Sequence, residues 1–372
     1  MPKRMEQRTV SKGITVGAAV LLAVGVLGMR PAQDTKQDAN GGKPASAQQV
    51  VWTSVSDGVL KELTDAGKKI GYPGGAAGVS VDRATGEVDM IVPDQGIWRS
   101  ADGGKTFARV DGGNIGGRCE TGYALNADPE GRRLACFMLD GQSGMTLDNG
   151  KTWQTFQQHG RGWDFGVVDW SQKMPQDILA IHHESGQELH HSTDGGKSWT
   201  LLGKDFTAVG LFDSHAYVAS KGEGILRSVD GGMTWTKVSD ITPSGRTLCV
   251  EKGIGYWLTR EGLLVSRDKG VTWQRQGSTL EAAWGPFFGK DSKAIAVVGR
   301  KGTDSGLWET SDAGTNWKLV ATFPTFDGKT RPDWTPSKQW AAGWFYNFGW
   351  DWRRGLFYAS RMGNPVVSVK AK

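Results

Sequence analysis

The sequence predicts an all-β fold, a seven-bladed β-propeller preceded by one N-terminal hydrophobic helix. Three observations carry the prediction. An eight-residue motif recurs six times along 372 residues. Glycine (54) and tryptophan (17) are both abundant, as tight turns and aromatic covers demand and a helical protein does not. Three strand-like runs near the C-terminus lack the motif, and an orphan apolar run near residue 50 supplies the strand they are short of.

The clearest copy of the motif is Ser228 to Trp235, SVDGGMTW, or S-x-D-x-G-x-T-W. The others are SADGGKTF from Ser100, TLDNGKTW from Thr146, STDGGKSW from Ser192, SRDKGVTW from Ser266 and TSDAGTNW from Thr310. The aspartates are Asp102, Asp148, Asp194, Asp230, Asp268 and Asp312, with gaps of 46, 46, 36, 38 and 44 residues. A period of about 40–45 residues is one four-stranded propeller blade. The motif has a mechanical reading. The carboxylate accepts amides of its own turn, the glycine supplies left-handed backbone, the hydroxyls close the hairpin, and the Trp covers it. Its residues fold a hairpin and do not form a catalytic or metal-binding set.

These residues resemble the Asp-box (BNR) repeat of sialidases, two-propeller xyloglucan hydrolases, sortilin-type receptors and photosystem assembly factors. The layout is similar to the single-propeller assembly factors and to one propeller of the xyloglucan hydrolases. The resemblance implies the fold. It does not choose a function, because these families do different things on one scaffold.

In chain order, Lys3 to Lys12 is basic and Ile14–Met29 is a 16-residue apolar run without charge. This is a membrane-targeting segment. A clean small-residue cleavage site does not follow it, so residues 1–30 read as an uncleaved signal anchor rather than a cleaved signal peptide. The basic end stays cytoplasmic, which places the rest periplasmic or extracytoplasmic, held at the inner membrane. Residues 31–49 are polar and small and read as a flexible tether. The propeller occupies 50–372. Of the formal charge of +5, the first thirty residues hold +4 (Lys3, Arg4, Arg8, Lys12 and Arg30 against Glu6). The domain is nearly neutral and no basic stripe suggests nucleic acid.

Blade 1 begins near Gly75 with strands at Ala77–Val81, Val88–Val92, Gly96 onward and Ala108–Val110. Blades 2 to 6 repeat that order. The runs Trp340–Trp350, Gly355–Ser360 and Pro365–Val369 make three strands of blade 7, and Val50–Val55 is expected to add its outer strand and close the ring. Asp57 to Leu63 reads as a short helix or loop excursion.

The motif turns all lie on one face, so function is expected on the other. There the turns between second and third strands meet the blade-to-blade connections. Arg118, Arg161, Trp163, Arg260 and Trp334 are the binding-face candidates. Asp94 is the weak catalytic candidate: Asp94-Gln95-Gly96-Ile97-Trp98-Arg99-Ser100 resembles a stretch of the xyloglucan hydrolases in which the aspartate is catalytic. Glycoside hydrolysis needs a second carboxyl, and Asp140, Glu184 and Glu261 are not distinguished. The sialidase F/Y-R-I-P motif is absent. His182, His183, His190 and His191 are weak metal candidates. A turn at Gly186-Gln187 would pair His182 with His191 and His183 with His190. Cys119 and Cys136 flank the Asp128–Gly131 turn and could face each other; no CxxC or zinc spacing exists and no cofactor is expected. The expected function is a non-catalytic protein-binding scaffold or accessory subunit. Its partners would be a membrane protein complex or other protein and, through Ile14–Met29, the lipid bilayer. A glycoside hydrolase or glycan-binding protein is the alternative.

Overall fold

The computed structural model describes residues 51–119, 122–157, 160, 162–322, 325–326, 329–330, 346–361 and 363–371. The expected anchor and tether, Arg161 and Trp334 lie outside these residues.

Among the described residues, seven four-stranded antiparallel sheets follow one another, six of them with their strands in chain order from the axis outward. Blade 1 is Gly78–Val81, Val88–Val92, Gly96–Ser100 and Ala108–Arg109. All five residues of its second strand are buried, because neighbouring blades cover both faces of a sheet; this is why apolar runs replace strict alternation. Blade 7 is Tyr346–Asp351, Leu356–Arg361, Val367–Lys370 and, from the other end of the chain, Thr53–Ser54. Thr53 pairs with Ser368 and Ser54 with Val367, and Val55 donates to Val366 O at 2.8 Å. The N-terminal strand therefore closes the ring as expected. The helix Asp57–Asp65 follows, burying Val59 and Leu63 against Val79, Met90, Tyr358 and Val366 at the seam of blades 7 and 1. A two-stranded hairpin, Thr325–Phe326 with Lys329–Thr330, follows blade 6.

All six motif hairpins share one hydrogen-bond pattern. In the Ser228 copy the Ser228 hydroxyl donates to Asp230 Oδ1 (2.8 Å) and accepts from Gly232 N (2.9 Å). Thr234 donates its amide to Asp230 Oδ1 (2.9 Å) and its hydroxyl to Oδ2 (2.5 Å). The copy at Thr310 keeps the pattern with Asn316 Nδ2 in place of the hydroxyl. Gly232 has φ +85°, and a Cβ there would collide with Leu202 of the preceding blade. The motif glycine is thus required by its left-handed backbone and by interblade contact together.

Two side-chain expectations are corrected. Cys119 and Cys136 are not cross-strand partners: Leu125 is opposite Cys136, and the two are unbonded members of one apolar cluster. Cys119 Sγ donates to Ala77 O at 3.4 Å, and both residues are buried thiols. The histidine register also differs. Ala180 pairs with His190, Ile181 with Leu189 and Leu179 with His191. The chain turns through five residues, with Glu184 (φ 50°), Gly186 (φ 75°) and Gln187 (φ 57°) all left-handed. That is longer than the two-residue turn the sequence suggested, and the longer loop shifts the pairing. His182 and His190 then share one side of the sheet with Glu188, while His183 and His191 lie on the other.

Candidate binding site

The face singled out from the sequence carries several local contacts. Asp94 sits in the turn after the second strand of blade 1 with φ 63°, exposed, and its amide donates to Gly117 O at 2.9 Å. Its carboxylate lies directly against Gly71, where a Cβ would meet it. Next to Gly117, Arg118 Nε pairs with Asp140 Oδ2 at 3.0 Å, and its guanidinium lies 5.7 Å from the Tyr72 ring. Asp140 is thereby engaged by Arg118. Arg260 is exposed in its turn, where neighbouring Glu261 pairs with Arg275. Trp163 stands at this end of blade 3, opposite His182, but is buried rather than presented. It is 1% exposed, packed between blades 2 and 3 at 4.3 Å from Trp199 and against Phe137 and Phe156.

The large concavity lies elsewhere. A cavity of about 810 Å³ occupies the axis. Its lining comes from the ends of the innermost strands and the turns that follow them: Val79–Val81 and Arg83, Leu125–Arg133, Val167–Met174, Leu211–Phe212 and Trp284–Phe288. In an antiparallel blade the turn after the first strand and the turn after the third lie on the same side. The cavity therefore opens on the face that bears the motif hairpins, not on the one expected.

Its inner end is aromatic. Tyr123 stacks on Trp284 with centroids 4.2 Å apart and planes 16° from parallel. Phe165 and Phe348 flank that pair. Tyr123 donates its hydroxyl to Ala283 O at 3.2 Å, and burial pushes its pKa up to about 12. Asn347 accepts from Val79 N at 2.5 Å and donates to Gly122 O, tying blades 7, 1 and 2 at the same level.

The outer end is bridged by one arginine. Arg83 leaves the inner turn of blade 1 and pairs with Glu251 of blade 5 at 2.7 Å. It also donates to Gly289 O of blade 6 (2.7 Å) and to Pro129 O of blade 2 (3.4 Å). The guanidinium lies 5.6 Å from the Phe288 ring. Glu251 is 1% exposed, and its Oε2 has no hydrogen-bond partner among the described residues.

The inner turns contain an aspartate repeat that the sequence reading did not use. An apolar residue and an Asp end the inner strand in five blades: Val81-Asp82, Ala127-Asp128, Val168-Asp169, Phe212-Asp213 and Trp350-Asp351. Each carboxylate accepts amides of its own turn, as Asp82 does from Ala84 and Thr85, and Asp351 from Arg353 and Arg354. Asp128, Asp169 and Asp213 do the same. Four of the five are buried, all but Asp213. What reaches solvent from these turns is basic: Arg132, Lys173, Lys252, Lys290, Lys293, Arg353 and Arg354 are exposed, against the one exposed acid Glu130. Of these exposed residues, Lys173, Lys252 and Glu130 line the funnel itself.

The arrangement defines a class: a seven-bladed propeller with an axial, aromatic-floored funnel and a cationic rim. No protein-family model matches the chain, and no curated protein matches it either. Among solved structures it is similar to the GH74 enzyme of Niastella koreensis, with 17% identity and TM-score 0.52 over 80% of this chain. The chain spans 43% of that enzyme's length. It is also similar to YCF48 from Cyanidioschyzon merolae (11% identity, TM-score 0.43, 79% of this chain and 95% of that one). YCF48 bound to D1 peptide gives 14% identity and TM-score 0.43, covering 80% and 92%. The first of these likenesses agrees with the propeller fold seen here.

Proposed function

We propose that the chain is a non-catalytic binding protein that holds an anionic segment of a partner protein in its axial funnel. The observation that supports this most directly is the funnel itself: about 810 Å³, floored by aromatic rings and rimmed by exposed Lys173 and Lys252. That size and lining suit an extended peptide carrying an aromatic or long apolar anchor and one or more carboxylates. The aspartates at the funnel are committed to capping turns or to ion pairs, as Asp128 is to Arg133 at 2.6 Å, and Glu130 is the exposed carboxylate in the lining. A flanking pair available for glycoside hydrolysis is not among them. The disc would be held at the extracytoplasmic face of a membrane by the apolar run at 14–29 and would serve as a scaffold or accessory subunit of a membrane complex. No helix among the described residues is long and apolar enough to cross a membrane.

The test is recovery of the native protein from solubilised membranes with its partners identified. A stoichiometric partner that is lost from a Lys173→Glu/Lys252→Glu variant supports the reading. Retention of the partner by that variant, or turnover of a glycan library abolished by Asp94→Ala, overturns it.

A further inference from the structure

We propose that His182, Glu188 and His190 form a binding site for one divalent transition-metal ion of the Zn²⁺ type, at the edge of blade 3 away from the funnel. The five-residue loop after His182 sets it up. Because the chain turns late, His182 N donates to Glu188 O at 2.9 Å, and the two residues stand opposite each other. His190 is two residues further along the same strand, so its side chain points to the same side as that of Glu188. One ligand atom from each of the three residues lies within 4.8 Å of the other two.

The separations also fit coordination, although Glu188 Oε2 and His190 Nε2 make a long hydrogen bond as they stand. Glu188 Oε2 is 3.4 Å from His190 Nε2 and 3.8 Å from His182 Nδ1. Both are long for an N–H···O bond, which clusters near 2.9–3.0 Å. Two ligands at about 2.0–2.1 Å from a tetrahedral zinc are about 3.3–3.4 Å apart, so the first edge fits as it stands and the second needs a small rotamer adjustment. An N₂O donor set of two imidazoles and one carboxylate is a borderline set suited to Zn²⁺ and, more tightly, to Cu²⁺. Three protein ligands leave one coordination position for water.

The surroundings hold the donors in place. His190 is 3% exposed, and both imidazoles stand edge-on to the buried Trp163 ring, with centroids at 5.6 and 5.8 Å. Lys204 Nζ donates to the other carboxylate oxygen, Glu188 Oε1, at 2.9 Å. That contact orients the carboxylate as an outer-shell partner does. His183 and His191 are engaged elsewhere, with Asp164 at 2.7 Å and Asp177 at 3.0 Å.

The experiment is calorimetric titration of the EDTA-stripped full-length chain with Zn²⁺ alone. The same series is repeated with Cu²⁺, reading tryptophan emission, because a paramagnetic ion beside Trp163 quenches it. Wild type should take up about one Zn²⁺ per chain, and bound Zn²⁺ should block the Cu²⁺ quench. Glu188→Gln, His182→Ala and His190→Ala should each weaken binding at least about tenfold, with His183→Ala unchanged. Should His190→Ala fail to fold, the partly exposed Glu188→Gln and His182→Ala decide. Sub-stoichiometric uptake by wild type, or wild-type affinity in both Glu188→Gln and His182→Ala, overturns the proposal.

Discussion

Replacing Arg99 by Met should be among the most destabilising single changes in the ring, and the structure says why. Arg99 donates to both oxygens of Asp89 (Nε–Oδ1 2.7 Å, Nη2–Oδ2 2.9 Å) on the adjacent strand of blade 1. Its Nη1 donates to the backbone carbonyl and side-chain Oδ1 of Asn149, both at 2.6 Å, in the motif hairpin of blade 2. Its side chain is 8% exposed and that of Asp89 is 4%. Burial pushes the Asp89 carboxyl above its usual range, and Arg99 is the main opposing influence. Breaking a buried pair from one side leaves an uncompensated charge and costs about 3–5 kcal/mol. Urea unfolding followed by tryptophan emission, compared at common slope, measures the loss. Adding Asp89→Asn to Arg99→Met removes the stranded charge and should recover a good part of it. The sign with pH follows from the raised carboxyl. Without Arg99 the folded state binds the Asp89 proton more tightly than the unfolded chain, so stability falls as pH rises through the folded pKa. The single variant should therefore lie closer to wild type at pH 5 than at pH 8. A loss below about 1 kcal/mol, or no recovery in the double variant, refutes the reasoning.

Three further outcomes are expected. Tyr217→Phe keeps the volume but removes a buried hydroxyl that donates to Asp177 Oδ1 at 2.8 Å across the blade 3–blade 4 seam; chemical denaturation should show a loss of about 1.5–3 kcal/mol. All six motif carboxyls are held below their usual range by their own turns; Asp230 and Asp312 are at about 2, and so is Asp194, where burial opposes the shift. A depressed carboxyl contributes stability above its unfolded pKa and loses it as pH falls through the folded one. Near-UV dichroism at constant ionic strength should therefore hold to about pH 4 and collapse toward pH 2, and collapse above pH 5 would contradict this. A chain lacking everything through Val55 leaves the strand Val367–Lys370 as an open edge; its melting temperature should fall on the order of 5 °C and its aggregation should rise.

The blade count was legible because the aspartate period marks six blades and the unmarked C-terminal strands lacked one partner, which the run ending at Val55 provides. The inner strands were legible as apolar runs for the same reason, since each blade is covered on both faces. The histidine pairing was not, because a Gly-Gln pair signals a two-residue turn, and nothing local announces that Glu184 and Gln187 also adopt left-handed backbone. Trp163 read as an exposed loop residue because it follows Arg-Gly, whereas it begins the inner strand of blade 3 and is buried there. The funnel was missed for an electrostatic reason. In sequence the inner turns look charge-neutral; only the fold shows that their aspartates turn inward. The recurring apolar-Asp step at the inner strand ends was the available signal.

On the proposed reading, that charge sorting sets how an anionic partner would be recognised. The inner turns, 82–87, 128–133, 169–177, 213–215, 252–253, 289–294 and 351–355, hold nine basic and nine acidic residues, a formal sum of zero. At distances beyond a Debye length, about 8 Å at physiological salt, such a face exerts little pull, so it should not steer an anionic partner from afar. In contact the sum is irrelevant. A carboxylate that reaches the rim meets Lys173 and Lys252, while the compensating aspartates lie beneath their own turns. Charge reversal at Lys173 and Lys252 should therefore weaken binding of an acidic segment mainly through faster dissociation. The association rate of the wild type should change less than about threefold between 50 and 500 mM salt. Surface-immobilised kinetics separate the two rates. An association rate that falls steeply with salt would mean that the buried carboxylates do not screen the rim, and the recognition would then be long-range steering.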